Sequence, residues 1–149
     1  MTTTTTESTS TLNSLLRGEM AALLTYGQVI EKLQDDNAPG AADFHQLRKD
    51  HRDAAEALQR FVAVQGEEPS RDSGPWGAFA KAVTGTAKLF GNTAALKALK
   101  EGEEHGLKEY ESALEDHSLP AEARSVIRDT LLPRQRQHIA VVDRLMEAQ

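Results

Sequence analysis

The chain has 149 residues, a formal net charge of −6 with both signs mixed along its length, and no cysteine. That length suits one domain with a continuous core, and the acidic, mixed charge argues against nucleic acid as the natural partner. Without cysteine, disulfides, thiolate metal sites and cysteine nucleophiles are excluded, which suits a reducing, cytoplasmic setting.

Residues 1–11 are threonine and serine apart from Met1 and Glu7. They carry neither a basic start nor an apolar run, so they do not read as a signal peptide. Their composition predicts a disordered tail (1–11) ahead of a single domain (12–149). From there apolar positions step by three and four. Leu16, Glu19, Leu23, Tyr26, Ile30 and Leu33 make the seam of a first helix over roughly residues 12–36. Asp35-Asp36-Asn37-Ala38-Pro39-Gly40 breaks the pattern as a turn. Phe44, Leu47, His51, Ala54, Leu58 and Phe61 carry a second helix to about Val64, with Gly66 as its stop.

A long connector, Glu67 to Gly91, follows. It opens as a loop through Pro69 and Pro75, then turns apolar from Trp76 to Phe90, a short helix interrupted at Thr84-Gly85. With Lys81 and Lys88 on it, this stretch could dock on a membrane or a partner, but packing on the bundle is the simpler expectation. Leu96, Leu99, Glu103, Leu107, Tyr110 and Leu114 form a third helical seam. Ile127, Leu131, Arg134, His138, Val141 and Leu145 form a fourth, which Pro133 should kink or divide. No strand-like alternation appears, nor an apolar run of about 18 residues able to span a membrane. Short turns make helices one and two, and three and four, antiparallel pairs. The long connector can cross the bundle, giving an all-α, four-helix, up-down-down-up arrangement.

One phrase occurs twice. Gly18-Glu19-x3-Leu23-x2-Tyr26 reappears as Gly102-Glu103-x3-Leu107-x2-Tyr110, 84 positions later. Glutamate and tyrosine seven apart share a helical face, and that face is otherwise apolar. A carboxylate there is costly to bury unless something pairs it, so the repeat points to a buried polar site. Each seam in fact carries one polar residue: Glu19, His51, Glu103 and His138. Two carboxylates and two imidazoles converging in a bundle suit iron, manganese or zinc. The metal-free alternative is a buried network in which Arg48 supplies the cation and Tyr26, Tyr110 and Gln135 complete the hydrogen bonds. The tyrosines read as core residues with their hydroxyls on carboxylates rather than as redox groups. His105 and Glu104 read as surface residues, and His45 and His117 as helix-end residues.

The chain resembles the ferritin-like superfamily. Within it, Leu12-Asn13-Ser14-Leu15-Leu16-Arg17-Gly18-Glu19 and Gly102-Glu103-Glu104-His105-Gly106-Leu107-Lys108-Glu109-Tyr110 resemble a bacterial family known as a domain of unknown function, numbered 2383. The Ser73-Gly74-Pro75-Trp76 connector and the Leu119-Pro120 turn fit it too. The resemblance implies a four-helix bundle with a crossover between helices two and three, and no activity. Ferritin-like ligands would fall on Glu19, His51, Glu103 and His138. Where bridging glutamates are expected, three residues before each histidine, Arg48 and Gln135 stand instead. The implied role is a non-enzymatic bundle with a degenerate di-metal centre, structural, stress-associated or assembly-forming. The alternative is a metal-binding protein with a mononuclear or partial Fe, Mn or Zn site, for storage or oxidation. A homodimer is the expectation by analogy. Spacing leaves the site's level open: Glu19 and His51 are 32 residues apart, Glu103 and His138 35.

Overall fold

The computed structural model describes residues 2–35, 41–71 and 92–148. Four helical rods account for nearly all of them. Helix α1 is Thr2–Asp35, α2 is Ala41–Val64 and α3 is Asn92–Ala113. The fourth rod is α4 (Ala121–Val126), a π-helical turn (Ile127–Leu131) and α5 (Leu132–Glu147), joined without leaving helical backbone angles. No strand occurs among the described residues.

Helix α1 starts ten residues earlier than the composition suggests, which corrects the disordered tail. Threonine and serine are mediocre helix formers because their hydroxyls compete for backbone groups. Here the hydroxyls of Ser8, Thr9 and Thr11 have partners elsewhere. Thr9 Oγ1 donates to Gln65 Oε1 (2.8 Å), Gln65 Nε2 donates to Ser8 Oγ (2.6 Å), and Thr11 Oγ1 donates to Asp116 Oδ2 (2.7 Å). Ser8 is fully buried. The end of α2 and the turn after α3 thus clamp the start of α1.

The Gly66 stop and the Leu119-Pro120 turn hold, while the Asp35–Gly40 turn falls on residues 36–40, outside the described residues. Gly66 adopts φ +80°, the left-handed conformation that favours glycine, and the amides of Gly66 and Glu67 close onto Ala63 O and Val62 O. After α3, Asp116 accepts bonds from Ser118 N (2.9 Å) and Ser118 Oγ (2.5 Å), and the chain re-enters a helix past Pro120. Pro133 has no amide proton, and its ring crowds the carbonyl four residues back. The π-helical turn immediately before it loosens the backbone there and divides the rod. The turn also rotates the buried face. Leu132, Gln135, His138 and Val142 point inward on α5, in place of the expected Arg134, Val141 and Leu145, which are half-buried.

Cross-helix pairs give the directions. Tyr26 meets Phe44 while Glu19 meets His51, so α1 and α2 are antiparallel. Tyr26 bonds Glu103 while Tyr110 bonds Glu19, so α1 and α3 are antiparallel as well. Lys100 pairs with Asp143, and Asp43 with Arg144, which sets α5 antiparallel to both α3 and α2. The rods therefore run up, down, down, up. Residues 72–91, on which the expected crossover and its expected short helix fall, lie outside the described residues.

Two apolar clusters fill the bundle. One gathers Leu12, Leu16, Leu58, Val62, Ile127 and Leu131; the other gathers Tyr26, Ile30, Phe44, Leu47, Leu99 and Val142. Apart from Ser8, Thr9 and Thr25 on α1, the buried polar residues fall between the two clusters on every rod: Glu19, His51, Glu103, and Gln135 with His138. Fully burying one Leu or Phe is worth about 1.5–3 kcal/mol, so the two ends together offset a polar layer that burial alone would penalise.

Candidate metal centre

The repeated phrase has a direct structural meaning. Because α1 and α3 are antiparallel, the glutamate of each copy lies level with the tyrosine of the other. Tyr110 donates to Glu19 Oε1 at 2.5 Å, and Tyr26 donates to Glu103 Oε1 at 2.5 Å. Burial raises both phenols well above their ordinary pKa, and the adjoining carboxylates raise them further, so both stay neutral donors.

His51 enters from α2 between the two glutamates. Its Nδ1 lies 2.5 Å from Glu19 Oε2 and its Nε2 lies 2.8 Å from Glu103 Oε1. Two carboxylate partners require a proton on each ring nitrogen. Burial alone lowers the imidazole's pKa, but the charges of Glu103 and Glu19 outweigh it and hold the ring well above its usual value. Burial likewise would raise Glu103, yet the imidazoles of His51 and His138 pull its carboxyl far below the carboxylate range.

Gln135 closes the layer from α5. Its Nε2 donates to Glu103 Oε2 (2.6 Å) and to the Glu103 backbone oxygen (2.9 Å). The amide lies this close to α3 because residue 106 is glycine: a Cβ there would stand 2.6 Å from Gln135 Nε2. Gln135, not His138, is the counterpart of His51 in register, since both lie 32 residues from their glutamate.

His138 lies one turn further along α5 and reaches the same carboxylate. Its Nε2 is 3.0 Å from Asp50 Oδ2, and its Nδ1 is 3.4 Å from Glu103 Oε2 without hydrogen-bond geometry. With Asp50 accepting, Nε2 carries the proton, and the buried Nδ1 is left without a hydrogen-bond partner. The rings of His51 and His138 sit 4.7 Å apart. Donor atoms from His51, Glu103 and His138 lie within 4.8 Å of one another.

The structure thus brings together three of the four expected ligands. Glu19 lies on the opposite side of His51, at Nδ1. Arg48 is a correction: it makes no ion pair with either glutamate among the described residues, and His51 is the cation instead. The Arg48 guanidinium lies against Gly27, close enough that a Cβ on that glycine would be 3.4 Å from it, and its buried Nε is unpartnered. Residue 48 lies nearly a turn along α2 from His51, facing α1 rather than the bundle axis. Asp50 was not foreseen. It adjoins a seam histidine in sequence, and periodicity alone assigns such a neighbour to another face. His105, His45, His117 and Glu104 are exposed as expected.

A cavity of about 60 Å³ lies between α1 and α3, and Glu19, His51, Glu103, both tyrosines and Gln135 border it. Its flanks come from the same positions of both copies of the repeat: Gly18, Ala22 and Thr25 on α1, and Gly102, Gly106 and Glu109 on α3.

These features define an all-α four-helix bundle with a histidine–carboxylate layer across its core. A family described as "Domain of unknown function (DUF2383)" matches residues 6–116, and the chain belongs to that family. The match takes in α1, α2 and α3 with Glu19, His51, Glu103 and both tyrosines; Gln135 and His138 lie beyond it. No curated protein matches the chain, and no solved structure does. No helix among the described residues is long and apolar enough to cross a membrane.

Proposed function

We propose that the protein binds one divalent transition-metal ion in the bundle core, through His51 Nε2, Glu103 and His138 Nδ1. One observation carries the reading: each imidazole has one nitrogen held by a carboxylate and the other turned toward Glu103. Glu19 holds His51 Nδ1, and Asp50 holds His138 Nε2. Metal-binding histidines are fixed in this way by outer carboxylates, which set the tautomer and raise ligand basicity. One spacing already suits an ion, and the donor atoms as a set lie within 4.8 Å of one another. Ligands about 2.0–2.2 Å from a tetrahedral centre are roughly 3.4 Å from one another, and His138 Nδ1 stands 3.4 Å from Glu103 Oε2.

Two imidazoles and one carboxylate favour Zn(II), Fe(II) or a similar ion over Mg(II) or Ca(II), which prefer oxygen. A pair of ions finds no support, because Arg48 and Gln135 replace the carboxylates that would bridge them. Bound there, an ion would supply Lewis acidity at a buried position. Binding displaces the proton from His51 Nε2, so uptake weakens as pH falls.

A second reading has its own support. With His51 protonated, each oxygen of both glutamates accepts a bond, so the two carboxylates are satisfied in a metal-free device fixing helix register, with His138 Nδ1 left unpartnered. Elemental analysis of protein purified without chelator or affinity metal, then offered Fe(II), Mn(II) and Zn(II), separates the two. The metal reading expects about one equivalent, lost in His51→Ala/His138→Ala and weakened roughly 10–100-fold in Asp50→Asn. No metal after reconstitution would leave the register device as the function of the layer.

A further inference from the structure

The geometry points to the α1–α3 cleft as the port through which the ion reaches and leaves the core, with Glu109 and His105 as its capture pair. The inference rests on the metal reading and adds a route to it. The cavity touches the inner ligands His51 and Glu103 at one end and His105 and Glu109 at the other. Those two outer side chains are 49% and 26% exposed and stand 3.2 Å apart, so this end opens to solvent.

The walls explain why the seam is not sealed. The two apolar clusters are mostly Leu, Phe, Ile and Val with a few alanines; here, between Leu15 and Leu99, α1 presents Gly18, Ala21, Ala22 and Thr25, and α3 presents Gly102 and Gly106. Thr25 directs its hydroxyl back to Ala21 O, 2.7 Å away, so it offers the passage no competing donor.

Charge sets the class of passenger. Among the described residues the lining contains Glu19, Glu103 and Glu109 against one cation, His51, and no lysine or arginine. A narrow cleft with carboxylates and no fixed ammonium or guanidinium concentrates cations and repels anions. Among other positions, the two copies of the repeat differ at the mouth. Positions that are Ala21 and Thr25 on α1 are His105 and Glu109 on α3, and Glu109 Oε2 lies over Gly18, 3.6 Å from where a Cβ would stand. One side of the cleft therefore supplies metal-binding side chains and the other supplies clearance. The volume fits a partly dehydrated ion with a few waters, each needing about 10–15 Å³ of such space.

Co(II) uptake, followed in a stopped-flow instrument by its visible absorption, tests the port. Ala22→Phe fills the cleft from the half-buried α1 wall without touching a ligand. The expected result is slower uptake and, on adding chelator, release slowed by the same factor, with an unchanged final absorbance. Glu109→Gln, which leaves packing intact, serves if Ala22→Phe does not fold. It should slow uptake ~10-fold at low ionic strength, the low end of charge steering, and the difference should vanish in high salt. Parent-like uptake in a folded Ala22→Phe protein, or in Glu109→Gln where that variant must decide, overturns the port while the metal site stands. Parent protein that takes up no Co(II) overturns both together.

Discussion

Gly106→Ala is expected to destabilise the protein, although the general rule for a helix interior runs the other way. Alanine is favoured over glycine there by about 1 kcal/mol, and residue 106 lies well inside α3. All of the nearest atoms to an added Cβ belong to Gln135, with Nε2 at 2.6 Å. Gln135 is buried and cannot swing into solvent. Relieving the clash draws its amide away from Glu103, with loss of a hydrogen bond to a charged group worth about 1.5–3 kcal/mol. The net loss is about 0.5–2 kcal/mol, or a drop in Tm of roughly 1–8 °C for a chain of this size. Guanidinium unfolding of the four proteins of a Gly106→Ala/Gln135→Ala cycle measures it. In the Gln135→Ala background the Cβ meets open space, and Gly106→Ala should become stabilising by about 1 kcal/mol. A Gly106→Ala protein more stable than the parent in both backgrounds would refute the reasoning.

Three further outcomes follow from the polar layer. Tyr110→Phe should cost more than Tyr26→Phe, because Glu19 Oε1 loses its tyrosine donor while Glu103 Oε1 keeps His51; equal or reversed denaturation midpoints would contradict this. Stability should crest between the ordinary carboxylate and imidazole ranges. Glu103, held below its ordinary value of 4.5, contributes fully above that pH and loses its contribution as pH falls through its folded value. His51, held above its ordinary value of 6.5, contributes fully below that pH and loses its contribution as pH rises toward its folded value. His51→Gln should therefore flatten the alkaline limb of a midpoint-against-pH curve, and an unchanged limb would count against the His51 assignment. Arg48→Ala should cost no more than about 1 kcal/mol, against about 3–5 for breaking a buried ion pair; a loss in the larger range would restore Arg48 as the cation.

The sequence by itself determined the all-α class, three of the four buried seams, the Gly66 stop, and the residues that carry the polar layer. Periodicity was sufficient for these because the side-chain spacing on a helix fixes which residues share a face. Glu19, Tyr26, His51, Glu103, Tyr110 and His138 are all buried where the stepping places them. What it left open was decided between helices. Whether Arg48 or His51 meets the glutamates depends on how α2 is rotated against α1 and α3. Asp50 becomes a partner only because α5 brings His138 alongside it. Pro133 signals a disturbance, but the π-helical turn determines that Gln135 and Val142, rather than Arg134 and Val141, face inward. The threonine-rich start reads as disordered until Gln65 and Asp116 are placed beside it. Each of these turns on interhelical distances of a few ångströms, and attraction between charges or hydrogen-bonding groups is set by such distances, not by position along the chain.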